Sequence, residues 1–97
     1  MHLTAAKKRK LKALAHTLSP VILVGKWGLT DALIAAVEKA LFEHELIKLK
    51  FNAHKEHKKE LAAKIIDRTG ATIVSFTGNV LTLYRENPDE SHRRLAL

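Results

Sequence analysis

Between Pro20 and Thr30 the chain reads Pro20-Val21-Ile22-Leu23-Val24-Gly25-Lys26-Trp27-Gly28-Leu29-Thr30. Ser19-Pro20 stops any preceding helix, because proline pushes the residue before it into extended geometry. The apolar, mostly β-branched run Val21 to Val24 then predicts a short strand buried on both faces. Gly25 to Gly28 is a loop, and Thr30 is suited to cap a helix whose Leu33, Ile34, Val37 and Leu41 fall on one stripe. Leu29 and Ile34 occupy the two positions of a hydrophobic staple at that helix start. Downstream, Leu46 to Phe51 alternates, with Ile47, Leu49 and Phe51 on one face and Lys48 and Lys50 on the other. That is the pattern of a half-exposed strand with a cationic open face. Strand, helix and strand in succession imply parallel pairing through a right-handed crossover.

Upstream, Thr4 is a plausible N-cap, and Leu11, Leu14, Ala15 and Leu18 have helical spacing, so a helix is expected up to about Thr17. Beyond the polar stretch 52–59, Leu61, Ala62, Ile65 and Ile66 mark the inner stripe of a third helix, with Gly70 as its C-terminal cap. Thr72 to Thr77 and Val80 to Tyr84 are β-rich runs joined by Gly78-Asn79, a two-residue connection suited to a hairpin. The order α-β-α-β-α-β-β predicts an α/β fold with a mixed four-stranded sheet. Three helices are too few to cover both faces, so a two-layer sandwich with one partly open face is expected. Residues 1–85 form one domain in this reading. Residues 86–97 hold Pro88 and several charges without a sustained period, and a loosely ordered tail is expected there.

The chain has 97 residues, 46% of them hydrophobic, which suits a single folded domain rather than a disordered segment. It contains no cysteine, so disulfides, thiolate nucleophiles and sulfur-ligated zinc are excluded. The basic N-terminus Met1-His2-Leu3-Thr4-Ala5-Ala6-Lys7-Lys8-Arg9-Lys10 is followed by no apolar run of a secretory leader, and no stretch of about 20 apolar residues occurs. A cytoplasmic monomer without a membrane partner is expected.

The formal charge of +7 points to a polyanionic partner, nucleic acid first. Lys7, Lys8, Arg9, Lys10 and Lys12 put five cations into six residues, with no acid before Asp31. On a helix starting at Thr4 these charges sit near the positive end of the macrodipole and repel one another at i,i+3 and i,i+4. Helix stability does not explain them; phosphate docking does. In the loop, Gly25 and Gly28 allow close backbone approach to a phosphate, Lys26 adds a charge, and the N–H groups at the start of the next helix add a partial one. Trp27, the only tryptophan, can stack there on an unpaired base. Lys48 and Lys50 on the open sheet face complete the candidate RNA-binding set.

The remaining polar residues suggest no chemistry. His54 and His57 flank Glu56 without metalloprotease spacing and among lysines, so no metal site is expected. His44 falls where a histidine commonly meets the last helix carbonyls. Glu38, Glu43, Glu45, Glu60 and Asp67 fall on faces predicted to be exposed, with no paired carboxylates. Neither a catalytic constellation nor a cofactor motif emerges. Two alternatives use the same residues: a non-specific duplex-DNA-binding protein, and a small enzyme acting on RNA.

Taken together, Leu11 to His16 (L-K-A-L-A-H), Pro20 to Thr30, His44 to Lys50 (H-E-L-I-K-L-K), Thr69 to Ala71 and Gly78 to Arg85 (G-N-V-L-T-L-Y-R) resemble the CRM domain family. The family is named for chloroplast RNA splicing and ribosome maturation, and the resemblance over about residues 3–85 is to its single-domain, YhbY-like bacterial form. It implies a fold similar to the C-terminal domain of translation initiation factor three and a G-x-x-G loop, here Gly25 to Gly28, that contacts RNA as in KH domains. It also implies association with ribosomal RNA in precursors of the large ribosomal subunit in bacteria, and with group II introns in plant organelles. The loop here joins a strand to a helix, whereas in KH domains it joins two helices.

Overall fold

A computed structural model describes residues 3–95. Its elements are α1 (Ala5–Ala15), β1 (Ile22–Val24), α2 (Asp31–His44), β2 (Leu46–Phe51), α3 (Lys58–Thr69), β3 (Thr72–Thr77) and β4 (Val80–Tyr84), with short 3-10 turns at Lys55–His57 and Glu90–His92. The fold is α/β, with three helices and a mixed four-stranded sheet in the order β1-β2-β4-β3. β1 runs parallel to β2, and β4 is antiparallel to both β2 and β3.

Local signals set the element ends. The Thr4 and Thr30 hydroxyls accept the backbone N–H groups of Lys7 and Leu33 at 3.2 and 3.0 Å, capping α1 and α2. Gly70 takes φ +71 and closes α3 by donating its N–H to Ile66 at 2.8 Å. Gly78 takes φ +58 at the first central position of the β3–β4 turn.

Successive strand residues face opposite sides, and two cores result. On one face α2 and α3 bury Val37, Leu41 and Ile65 against Val24, Leu49, Phe51, Leu81 and Leu83. On the other, α1 buries Leu11 and Ala15 against Leu46, Val74 and Tyr84. The second face is thus partly open, as expected, but α1 adds a third layer over its Leu46/Tyr84 end.

Three expectations are corrected. β1 is an edge strand of three residues, and Leu23 is 58% exposed, because it lies on the open sheet face with its register partner Lys50 while Val24 packs on the α2 side. It is therefore not buried on both faces. α1 ends at Ala15 rather than Thr17, and Leu14, inside it, and Leu18, beyond it, are partly exposed and line an apolar groove with Val21 and Leu46. The tail, as far as residue 95, makes hydrogen bonds to the α2–β2 junction. Glu45, expected on an exposed face, is only 1% exposed. Its carboxylate accepts the backbone N–H groups of Asn87 at 2.7 Å, of Leu95 at 3.2 Å and of Arg94. Asn87 is buried as well and donates from its amide to the Phe42 carbonyl at 2.9 Å. Residues 96 and 97 of the tail, like 1 and 2 of the domain, lie outside the described residues.

Candidate nucleic-acid interface

Because β1 and β2 are parallel and Val24 pairs with Phe51, the loops that follow them leave the sheet side by side. Ligands of open α/β sheets bind at such carboxyl ends of strands. The Val24 carbonyl accepts from both Asn52 and Ala53, at 3.0 and 3.2 Å, and joins the loops at their base. Gly28 donates its N–H to the Gly25 carbonyl at 3.0 Å, which makes Gly25 to Gly28 a tight turn, and Gly28 itself takes φ +64. A Cβ at Gly25 would meet nothing within 4 Å, so packing does not demand glycine there.

Trp27 is 79% exposed and does not close the core. The Lys26 ammonium lies 4.9 Å from the centroid of its ring, a cation–π distance. From the neighbouring loop, His54 places Nε2 2.7 Å from the Lys26 carbonyl oxygen. A carbonyl only accepts, so Nε2 carries the proton in this contact. The start of α2 is less available to an anion than its position suggests. Thr30 already satisfies Leu33, and Asp31 occupies the first turn, paired with Arg68 at 3.6 Å.

Lys7, Lys8, Arg9, Lys10 and Lys12 are all exposed, and the first turn of α1 holds no acid. Lys8, Lys12 and His16 are spaced i,i+4 and form a column on one flank of the helix. Lys12 and His16 line a groove with Lys48, Ser75 and Thr82 of the open sheet face. Lys48 donates from Nζ to the Leu18 carbonyl at 3.1 Å, which holds its ammonium at the end of the helix. Lys50 is two residues further along the same face and pairs in register with Leu23, the residue before Val24. A positive strip therefore runs from α1 through Lys48 and Lys50 toward the Gly25 turn. Lys7 and Lys10 lie on the other flank of the helix, two turns and one turn before Leu14 and the apolar groove.

Sequence pattern did not point to His16 or Lys64, and it raised His54 only as a possible metal ligand. His16 carries a local signal, the same i,i+4 spacing that links Lys8 to Lys12. His54 and Lys64, which share a cleft with Trp27, are brought there only by the tertiary fold. His44 ends α2, where the cap bond comes from the Glu45 N–H to the Leu41 carbonyl at 2.8 Å, and its ring lies 3.8 Å from the Glu43 carboxylate. Among the described residues no three His, Asp or Glu side chains converge on one point, and no helix is long and apolar enough to cross a membrane.

Residues 3–85 match the family model described as the CRS1 / YhbY (CRM) domain. The chain is 41% identical over 88 residues to an RNA-binding protein of Haemophilus influenzae, covering 90% of this chain and 89% of that one. It is 33% identical over 94 residues to the probable RNA-binding protein YqeI of Bacillus subtilis, covering 96% and 98%. The solution structure of a hypothetical Staphylococcus aureus protein, put forward as RNA-binding, superposes with a TM-score of 0.77 at 31% identity, covering 98% of this chain and all of that one.

Proposed function

The chain belongs to the CRS1 / YhbY (CRM) domain family, and from that membership we propose that it binds RNA, as an assembly factor on ribosomal RNA in precursors of the large ribosomal subunit. In this reading it is a cytoplasmic monomer and not an enzyme, and it works without a cofactor. Phosphates are neutralised by Lys7, Lys8, Arg9, Lys10 and Lys12 on α1 and by Lys48 and Lys50 on the sheet. Gly25, Lys26, Trp27 and Gly28 form the second contact. The observation that carries the reading is the positive strip along Lys12, Lys48 and Lys50, which leads from the helix to the turn. A double-stranded RNA segment or a structured loop can lie along such a strip with its backbone on the lysines, since phosphate contacts position while exposed bases specify. The grip on the turn differs from that of KH domains, because a strand and a capped helix flank it.

The test is sedimentation of a lysate through sucrose at low and high salt, comparing the wild type with a variant in which Lys8, Lys12, Lys48 and Lys50 are changed to Gln. Co-migration of the wild type alone with large-subunit precursors, lost at high salt, is the expected result. If the wild type stays at the top of the gradient at both salt concentrations, the ribosomal target is wrong. Competition by duplex DNA as effective as by structured RNA would favour a DNA-binding protein instead.

A further inference from the structure

The Gly25 turn and the loop after β2 flank an open cleft of about 350 Å³ lined by Trp27, Gly28, His54 and His57. Leu61 lines it as a half-buried apolar surface, and Glu60 and Lys64 lie at its rim. The volume is near the lower end for small-molecule sites and admits one nucleoside. With Lys26 over one face of the indole and the ring 79% exposed, the other face is open for stacking. Lys26 and Lys64 can meet the phosphates on either side of a stacked base, and the Glu60 carboxylate can accept from its N–H groups. Within an A-form duplex the faces of bases are covered by their neighbours, so a tryptophan face can only receive a base that has left the stack.

His54 holds this geometry. It bonds the carbonyl of Lys26, the residue before the tryptophan, at 2.7 Å, and does so from a left-handed backbone with φ +55. An exposed four-residue turn would otherwise have to be ordered when the ligand binds, at a cost in affinity that the bond removes in advance. We propose that this cleft receives a single unpaired nucleotide of RNA stacked on Trp27, with His54 as the positioning residue that fixes the turn. The inference rests on the RNA-binding reading and adds to it a preference for bulged or looped nucleotides over continuous duplex.

Trp27 is the only tryptophan in the chain, so intrinsic fluorescence reports on the surroundings of this one residue. The experiment titrates the full chain with an RNA hairpin carrying one bulged nucleotide, each of the four in turn, and with the fully paired hairpin. It follows tryptophan fluorescence together with the anisotropy of a dye on the RNA. At least one bulged hairpin should quench Trp27 and bind roughly tenfold tighter than the paired one, the order expected of one base–aromatic stack. Trp27→Ala should abolish that preference. His54→Ala should reduce both quenching and preference at an unchanged melting temperature, and His54→Gln, whose amide can still donate to the Lys26 carbonyl, should restore them. Equal affinity for all hairpins with unquenched Trp27 overturns the cleft while leaving RNA binding intact. No anisotropy change with any hairpin overturns both. A His54→Ala variant that keeps the full preference removes the positioning role.

Discussion

The carboxylate of Glu45 accepts the backbone N–H of Asn87 at 2.7 Å, 42 positions further along the chain. Both residues are buried, and the same carboxylate also takes the N–H groups of Arg94 and Leu95. Glu45, at the junction of α2 and β2, thus fastens the tail, together with the bond from the Asn87 amide to the Phe42 carbonyl and that from Arg94 Nε to the Glu43 carbonyl.

Glu45→Ala should therefore unfold more easily, by about 3 kcal/mol, since it leaves a buried N–H and two partly buried ones without their acceptor. Urea denaturation measures the loss, and amide hydrogen exchange should show Asn87, Arg94 and Leu95 becoming unprotected together. An unchanged midpoint would mean that these three bonds contribute nothing to the stability of the fold.

The two glycines of the turn should respond differently to alanine. Gly28 has φ +64, so Gly28→Ala should cost about 1–2 kcal/mol of backbone strain, although the nearest atoms to its Cβ, in His54, are 3.7 Å away. Gly25 has neither a positive φ nor a close neighbour, so Gly25→Ala should melt like the wild type. If the Gly25 backbone approaches a phosphate, that same variant should lose RNA affinity. Equal affinity in a filter-binding assay would confine the contact to the other residues of the turn.

Tyr84 should titrate late. Burial, and then the negative charges of Glu45 and Glu86, push its phenol up from 10 to about 12, with Arg93 opposing. The folded chain thus keeps this proton while the unfolded chain loses it. Stability from this group is complete below pH 10 and falls as pH rises toward 12, by of order 2 kcal/mol. Because the chain has one tyrosine, tyrosinate absorbance reads the transition directly, and Tyr84→Phe should flatten the alkaline loss of stability.

RNA affinity should fall steeply with salt. For about five engaged phosphates the single-strand coefficient gives a log–log slope near −3.5, or roughly a hundredfold loss between about 50 and 200 mM salt. Changing Lys8, Lys12 and Lys48 to Gln should make the slope shallower by about 2, measured by anisotropy across a salt series. A slope near zero in the wild type would contradict phosphate docking.

Much of this architecture is legible in local pattern. The alternation of Leu46 to Phe51, the caps at Thr4, Thr30 and Gly70, and the Gly78-Asn79 turn each depend on residues a few positions apart. What is not legible depends on distant ones. Periodicity shows that α1 has an apolar stripe but not which sheet face receives it, and Val21 to Val24 reads alike at a sheet centre or an edge. A glutamate that follows Glu43 and His44 looks solvated, and nothing near Glu45 announces partners at Asn87 and Arg94. The same holds for His54, whose partner carbonyl is 28 positions away. In the candidate site, the cations and the G-x-x-G turn are visible in sequence, whereas their alignment into a strip follows from sheet order.

The two cores share no residue: α1 stands on Leu11, Ala15, Leu46, Val74 and Tyr84, while the Gly25 turn springs from Val24 in the larger cluster. The arrangement resembles a caliper whose jaws are mounted on opposite faces of one plate. Repacking beneath α1 shifts one jaw and leaves the other in place, so the span between them can be retuned by drift in a handful of residues. One scaffold can in this way be fitted to RNA folds of different girth without rebuilding either jaw.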